Sequence, residues 1–387
     1  MSAVRSAWAA SPPANGTSAG GAAWGLLTRR ILGKAKLSAK SLAMPHPEES
    51  MRNPLRRLTS VLALTALVVP LAACGLGSEA GLVVYSGRNE GLVKPLLEKL
   101  EKAVGVDVEV RYGSSAELSA QLLEEGDKTK ADLFLSQDAG ALGALAKAGR
   151  LDKLPESSLG KVAEQFRGGA GDWVGVSGRV RVLAYHPGQV AKAPDTVRDL
   201  VKPEWNGKIG YAPTNASFQA FVTGMRVLDG DEATLAWLKG LKANGAKAYD
   251  NNIAVLDAVD SGQVSLGLIN HYYWYEKVAE KGAGGVTAKL HYLPGGDPGA
   301  LINVAGVGVL KGAAHRPAAL KAVDYLLSPE AQTYFSDETK EYPLAAGVTG
   351  NVPDLPPLDS LKAPRIDLGE LDSLQRTLAM LREAGMV

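Results

Sequence analysis

Three times between residues 82 and 149 a short apolar, β-rich run gives way to a segment with helical period. LVVYS (82–86) precedes Leu92, Val93, Leu96, Leu97, Leu100 and Val104, spaced as one face of a helix that Gly105 would end. VDVEVRY (106–112) alternates as a strand. SSAELSAQLLEEG (114–126) then opens on a serine cap with Glu117 in its first turn. ADLFLSQ (131–137) and AGALGALAKAG (139–149) repeat the pair. Parallel strands need a crossover connection, usually a helix, so this alternation restricts the chain to an α/β fold with a parallel sheet.

A second unit of the same kind follows. KIGYA (208–212) reads as a strand, 216–228, 231–243 and about 252–261 as helices, and VSLGLIN (264–270) as a buried strand. Before it, WVGVSGRVRVLAY (173–185) is long enough to cross between two lobes, and LINVAGVGVL (301–310) offers the return crossing. A length of 387 residues also points to about two domains. The expected architecture is two α/β lobes joined by a hinge of crossing β-strands. Lobe 1 covers 82–177 plus 304–350, and lobe 2 covers 178–303 plus 351–387. Ligands of such sheets lie beyond the carboxyl ends of the strands, where loops meet helix N-termini, which here means a cleft between lobes.

The N-terminal region reads as an address. MRNPLRR (51–57) is a positive n-region and LTSVLALTALVVP (58–70) an apolar h-region, short for a membrane span. Leu71-Ala72-Ala73-Cys74 then resembles a bacterial lipobox, with residues 74–81 as a tether. Cys74 is the only cysteine, which rules out an intrachain disulfide and a multi-cysteine zinc site. Residues 51–73 are therefore expected to be a lipoprotein signal peptide, and Cys74 to carry the lipid on an exported, membrane-anchored protein. Residues 1–50, rich in Ala, Ser, Gly and Pro, are expected to be a disordered extension; a mis-called start, with translation beginning at Met51 or Met44, accounts for them.

Residues 1–73 carry nine Lys/Arg and two Asp/Glu, leaving 33 and 39 for the rest, a net charge of −6 on the body. A mildly acidic body gives nucleic acid no footing. Within residues 82–387 no GxSxG, P-loop, HExxH or nucleophilic cysteine is present, so the motifs there give catalysis no support.

The chemically informative run is Asn270-His271-Tyr272-Tyr273-Trp274-Tyr275, directly after a predicted buried strand. Phenolate is a hard oxygen donor suited to a hard trivalent cation, which would have to displace a proton of pKa about 10. Aromatic clusters are more often core or sugar-stacking surface. Neighbours on a strand also point to opposite faces, so both tyrosines reach one ion only if the strand has already become a loop or helix. Thr214-Asn215-Ala216-Ser217 precedes a helix and offers backbone N–H groups and hydroxyls to an anion, or simply an N-cap.

From about residue 82 onward the chain resembles the periplasmic ferric-ion-binding proteins of ABC importers, of the type II periplasmic-binding-protein fold. The resemblance rests on VVYSGRNE (83–90), EEGDKTKADLF (124–134), SGRVRV (177–182), WNGKIGY (205–211), INHYYWY (269–275), DPGAL (297–301) and EYPL (341–344). It implies that Tyr272 and Tyr273 bind ferric iron and that carbonate, phosphate or a similar anion completes the shell. It places that anion at Asn215, Ala216 and Ser217, with Asn252 and Asn270 assisting. It also implies a monomer that delivers to an ABC permease and its ATPase.

The pattern departs at two places. Where some members carry a histidine and a glutamate from the first lobe, this chain has Asn89 and Gln137, poor ligands for a hard cation. Two phenolates leave the ferric ion with one positive charge and no evident protein carboxylate. Arg88 and Arg179 are the candidates for holding an extra anion, and a salt bridge is the other reading of Arg88. His271 reads as a hydrogen-bonded side chain more readily than as a ligand. The alternative solutes on the same fold are a phosphorylated sugar, a phosphonate or an intact ferric chelate; a purely structural lipoprotein is a further rival.

Overall fold

The computed structural model describes residues 81–387; the signal segment, Cys74 and the proposed start sites lie outside the described residues. The alternation is realised as β1 (Leu82–Ser86), α1 (Glu90–Val104), β2 (Val108–Tyr112), α2 (Ser115–Glu125), β3 (Leu133–Ser136) and α3 (Ala139–Lys147). Ser114 and Glu117 form a reciprocal capping box at the start of α2, as their spacing predicts. Gly105 ends α1 in the left-handed conformation that glycine alone adopts freely.

After a short helix α4 (Glu156–Leu159) comes β4 (Val174–Tyr185), then β5 (Ile209–Tyr211), α5 (Ala216–Asp229), α6 (Asp231–Ala243) and β6 (Lys247–Ala248). α7 (Asn252–Asp260), β7 (Leu266–Asn270), α8 (Tyr272–Lys281) and β8 (Lys289–His291) follow. β9 (Ile302–Val309), α9 (Arg316–Leu326), α10 (Pro329–Asp337), β10 (Tyr342–Pro343) and α11 (Leu374–Glu383) close the chain.

The strands run in the order β2-β1-β3-β9-β4-β7-β5-β6. β1 pairs in parallel with β2 and β3, and β5 with β6 and β7. The twelve residues of β4 change partners in mid-strand. Residues 174–180 pair antiparallel with β9, and 181–185 pair antiparallel with β7. One strand thus belongs to both halves of the sheet. β9 joins β4 to β3 on the first side, and β10 is held against β4 at Ser177 and Gly178.

Two apolar clusters form the core. The larger runs from β1, β3 and β9 to the α7 face of the second half, and the smaller fills the α5–α6 face with Phe218, Phe221 and Trp237. The C-terminal segment reaches both halves of the sheet. Leu368 and Leu371 are buried while the carbonyls of Gly369 and Leu371 lie against Gly143 and Gly140 of α3, so close that neither glycine has room for a side chain. Thr377 of α11 meets Thr223 of α5 at 2.7 Å. Among the described residues no helix is long and apolar enough to cross a membrane.

Candidate functional site

β7 ends at Asn270 and α8 begins at Tyr272, so the strand has already become a helix where the tyrosine pair stands. The two rings lie side by side in the first helical turn, centroids 4.1 Å apart and planes at 32°. The geometric condition for two neighbouring tyrosines to serve one ligand is therefore met. Tyr272 is buried, 7% exposed. Burial first, and Tyr273 second, push its hydroxyl well above the usual phenol range, while Arg179 pulls the other way. Tyr273 is half-buried.

His271 points elsewhere. It is fully buried, its Nδ1 accepts the Val180 N–H at 3.3 Å, and its ring stacks on Tyr342 at 4.8 Å. Burial drives its pKa down to about 3, so it is a neutral element of the hinge packing.

The Asn215 side chain caps α5, accepting the Ser217 N–H at 2.9 Å and the Ser217 hydroxyl at 2.7 Å. Asn252, fully buried at the start of α7, donates Nδ2 to Asn215 Oδ1 at 3.0 Å and to Ser217 Oγ at 2.9 Å, leaving its own Oδ1 without a partner. Ala216 is exposed at the first position of α5. The turn is thus both an N-cap and a cluster of polar atoms brought together from two helices.

Asn270 joins this cluster through an arginine that the sequence reading did not single out. Arg181 stands opposite Asn270 in the β4–β7 register. Its Nη1 donates to Asn270 Oδ1 and to Ser217 Oγ, each at 3.4 Å, and its Nη2 to the Leu268 carbonyl at 2.8 Å. Arg181 is 2% exposed, and burial pushes its pKa down to about 9, against the pull of Tyr273 and Tyr272. It sat in the quoted run SGRVRV, two residues beyond Arg179; alternation along the strand puts both side chains on one face.

Arg179 is 4% exposed, donates Nη2 to the Gln137 carbonyl, and leaves Nε and Nη1 without hydrogen bonds. Gln137 enters the site through this backbone oxygen, and its own N–H is held by Ser115 Oγ at 2.8 Å. Asn89 is exposed at the N-cap position of α1 and caps nothing with its side chain.

Arg88 is committed elsewhere, as its salt-bridge reading has it: both terminal nitrogens go to Glu341, at 3.1 and 3.0 Å. Glu341 is the buried carboxylate absent from the sequence reading, although it opens the quoted run EYPL. Burial raises its pKa, but Arg88 and Arg179 outweigh that and hold it below the usual carboxylate range. Arg179 Nη1 is 3.9 Å from it, and the Ser177 hydroxyl donates to it. Arg88, Arg179, Arg181 and Glu341 are buried about the tyrosine pair, with Glu276 one helical turn beyond Tyr272, and the cations outnumber the carboxyls. Among the described residues no cluster of three or more His, Cys, Asp and Glu side chains forms a metal site.

Residues 128–367 match the family model of bacterial extracellular solute-binding proteins. The Fe(3+)-binding periplasmic protein of Serratia marcescens is 34% identical over 84% of this chain and 96% of its own. The major ferric iron-binding protein of Neisseria meningitidis is 33% identical over 87% of this chain and the whole of its own. Among solved structures, iron-bound HitA from Pseudomonas aeruginosa superposes with a TM-score of 0.72 at 35% identity, covering 79% of this chain and 99% of that one.

Proposed function

This chain belongs to the bacterial extracellular solute-binding proteins, and from that premise we propose that it captures ferric iron outside the cytoplasm through Tyr272 and Tyr273, with a small anion as co-ligand, for delivery to an ABC permease and its ATPase. Its fold is the two-lobed α/β architecture of periplasmic binding proteins, and its relatives are binding proteins rather than enzymes.

The observation that carries the proposal is the tyrosine pair itself: two phenol rings 4.1 Å apart at the first turn of a helix, beside two buried arginines. Phenolate oxygens suit a hard trivalent cation. The names of the relatives supply the metal, since those proteins bind ferric iron. The phenols must lose their protons to bind it; Arg179 favours that loss at Tyr272, but burial outweighs it, so the ferric ion itself must drive the proton off.

Two phenolates leave the ferric ion with one positive charge, and the arginines add to it, so a co-bound carbonate, phosphate or similar anion is required. The polar cluster of Asn215, Ala216, Ser217, Asn252 and Asn270 offers donors to that anion, with Arg179 on its flank. Asn89 and Gln137 would approach from lobe 1 as the lobes close about the crossing strands, the division being 82–177 plus 304–350 against 178–303 plus 351–387. Export through residues 51–73 and lipid attachment at Cys74 would hold the monomer at the membrane surface. Radiolabelled palmitate incorporated by the wild type and lost in Cys74→Ala tests the anchor.

The iron reading is tested by expressing residues 75–387, loading with ferric citrate, desalting and recording the visible spectrum. A charge-transfer band lost in the Tyr272→Phe/Tyr273→Phe double variant supports it. A colourless, iron-free wild type, or equal ferric affinity in the double variant, overturns it and moves the ligand to an anionic organic solute.

A further inference from the structure

His271 packs against the tyrosine pair, the crossing strand and the first side of the sheet at once. In the β4–β7 ladder Arg181 faces Asn270, so the next pair is Val180 with His271. The His271 N–H still donates to the Val180 carbonyl, at 3.1 Å, as a ladder residue would. Its own carbonyl cannot answer, because the backbone has already turned helical, at φ −58° and ψ −43°. The ring answers instead: Nδ1 accepts the Val180 N–H at 3.3 Å. A buried N–H without an acceptor is costly, so the imidazole lets the strand become a helix within one residue and keeps the pairing complete.

The same ring reaches the other side of the hinge. Tyr342 of β10, held against β4 at Gly178, stacks on it with centroids 4.8 Å apart and planes at 28°. Tyr272 meets it edge-on, centroids 6.0 Å apart and planes at 88°. His271, Tyr272 and Tyr342 are all buried, so no water layer separates them. Close-packed side chains do not deform continuously; they shift together between discrete arrangements. A displacement of Tyr342 against β4 is therefore passed to Tyr272 through the imidazole.

We propose that His271 is a positioning residue for ferric capture. It is not a ligand; it sets the Tyr272 ring and couples it to Tyr342, so that ligation on the second side and the approach of the first side are one event. This rests on the iron reading for the cargo alone, since the contacts it invokes lie between side chains of this chain.

Cys74 is the only cysteine, so residues 75–387 carry none and two exposed positions can be spin-labelled without background: Glu98→Cys on α1 and Glu232→Cys on α6. His271→Asn keeps an acceptor oxygen for Val180 and a favoured residue ahead of the helix, but has no ring to stack. Tyr342→Leu leaves the Val180 bonds in place and removes the stack from the opposite side; it carries the test if the first variant fails to fold. Double electron–electron resonance on the iron-free protein should give a broader distribution of label distances in either variant. Ferric affinity, by citrate competition followed at the charge-transfer band, should fall roughly tenfold in each. The double variant should lose no more than the worse single one, because both changes break the same link. An unchanged distance distribution overturns the proposal. So does wild-type affinity or additive loss in the double variant, even where Tm has fallen, since the ring would then be packing only. If the wild type shows no charge-transfer band while the iron-free distances broaden as expected, the iron reading alone has failed.

Discussion

Glu341 accepts both terminal nitrogens of Arg88, at 3.1 and 3.0 Å, across a separation of 253 residues and almost out of contact with water. It ties the loop after β1 to the segment entering β10, with the Ser177 hydroxyl of β4 as a third point. Breaking a buried pair from one side leaves a desolvated charge without a partner. Glu341→Gln is therefore expected to cost about 3–5 kcal/mol of unfolding free energy, because Arg88 and Arg179 both lose their countercharge. The double change Arg88→Met/Glu341→Leu should cost less than Glu341→Gln, since Arg179 alone is then left without its carboxylate. Urea denaturation of the wild type, Glu341→Gln and the double variant measures it; equal costs for the single and double variants would mean the pair is not desolvated.

Arg179 is the cation that pulls the Tyr272 hydroxyl down, against burial. A neighbouring cation favours phenolate over phenol, and one pKa unit is a factor of ten in the population of the binding form. With Arg179→Gln, the pH at which the ferric charge-transfer band is half-developed is expected to rise by about one unit. Apparent affinity at pH 7 should then fall roughly tenfold, through the Tyr272 proton. A spectrophotometric pH titration reads this directly, and an unmoved midpoint would show that the guanidinium does not govern the phenols.

Glu276 sits one helical turn beyond Tyr272 on α8, largely buried. Burial, and then Glu341, push its carboxyl up to about 7, against the pull of Lys340 and Arg88. A carboxyl whose folded pKa lies above its unfolded value stabilises the fold below the unfolded pKa, and that stability is lost as pH rises through the folded pKa. The loss should fall between about pH 4.5 and 7. Glu276→Gln, uncharged throughout, should match the wild type near pH 4 and exceed it in Tm by roughly 2–5 °C at pH 8. Thermal unfolding across that range distinguishes this from a pH-independent effect of the substitution.

The regular part of this fold is written locally, and so it could be read. The capping box of Ser114 and Glu117 and the glycine that ends α1 depend on residues within one turn of each other. α6 runs over the residues its periodicity picks out. The tyrosine pair was legible as chemistry but not as geometry, because its meaning turns on a strand becoming a helix within one residue, His271. Arg181 and Glu341 were hidden for a different reason. Each takes its role from partners that only the crossing of β4 brings near: Asn270 through register, Arg88 through long-range closure. Residues 351–373 form no helix beyond short turns, and their place is set by the close approach of the Gly369 and Leu371 carbonyls to two glycines of α3.

That approach gives the last prediction. At Gly143 an added Cβ would overlap the carbonyl of Gly369, a backbone atom that cannot swing aside. Helix propensity alone would make Gly143→Ala stabilising by roughly 1 kcal/mol. The collision opposes this, since overpacking a fitted contact costs about 1–3 kcal/mol. We expect the collision to win and to appear at the tail: Leu368 and Leu371 should lose their seats, and limited proteolysis should cut within 351–373 faster than in the wild type. Gly284→Ala is the control, because a methyl there meets nothing within 4 Å. If Gly143→Ala resists protease as well as the Gly284 control does, the tail is held by its side-chain burial and ion pairs, such as Lys147 with Glu370 at 3.1 Å, and not by the glycine contact.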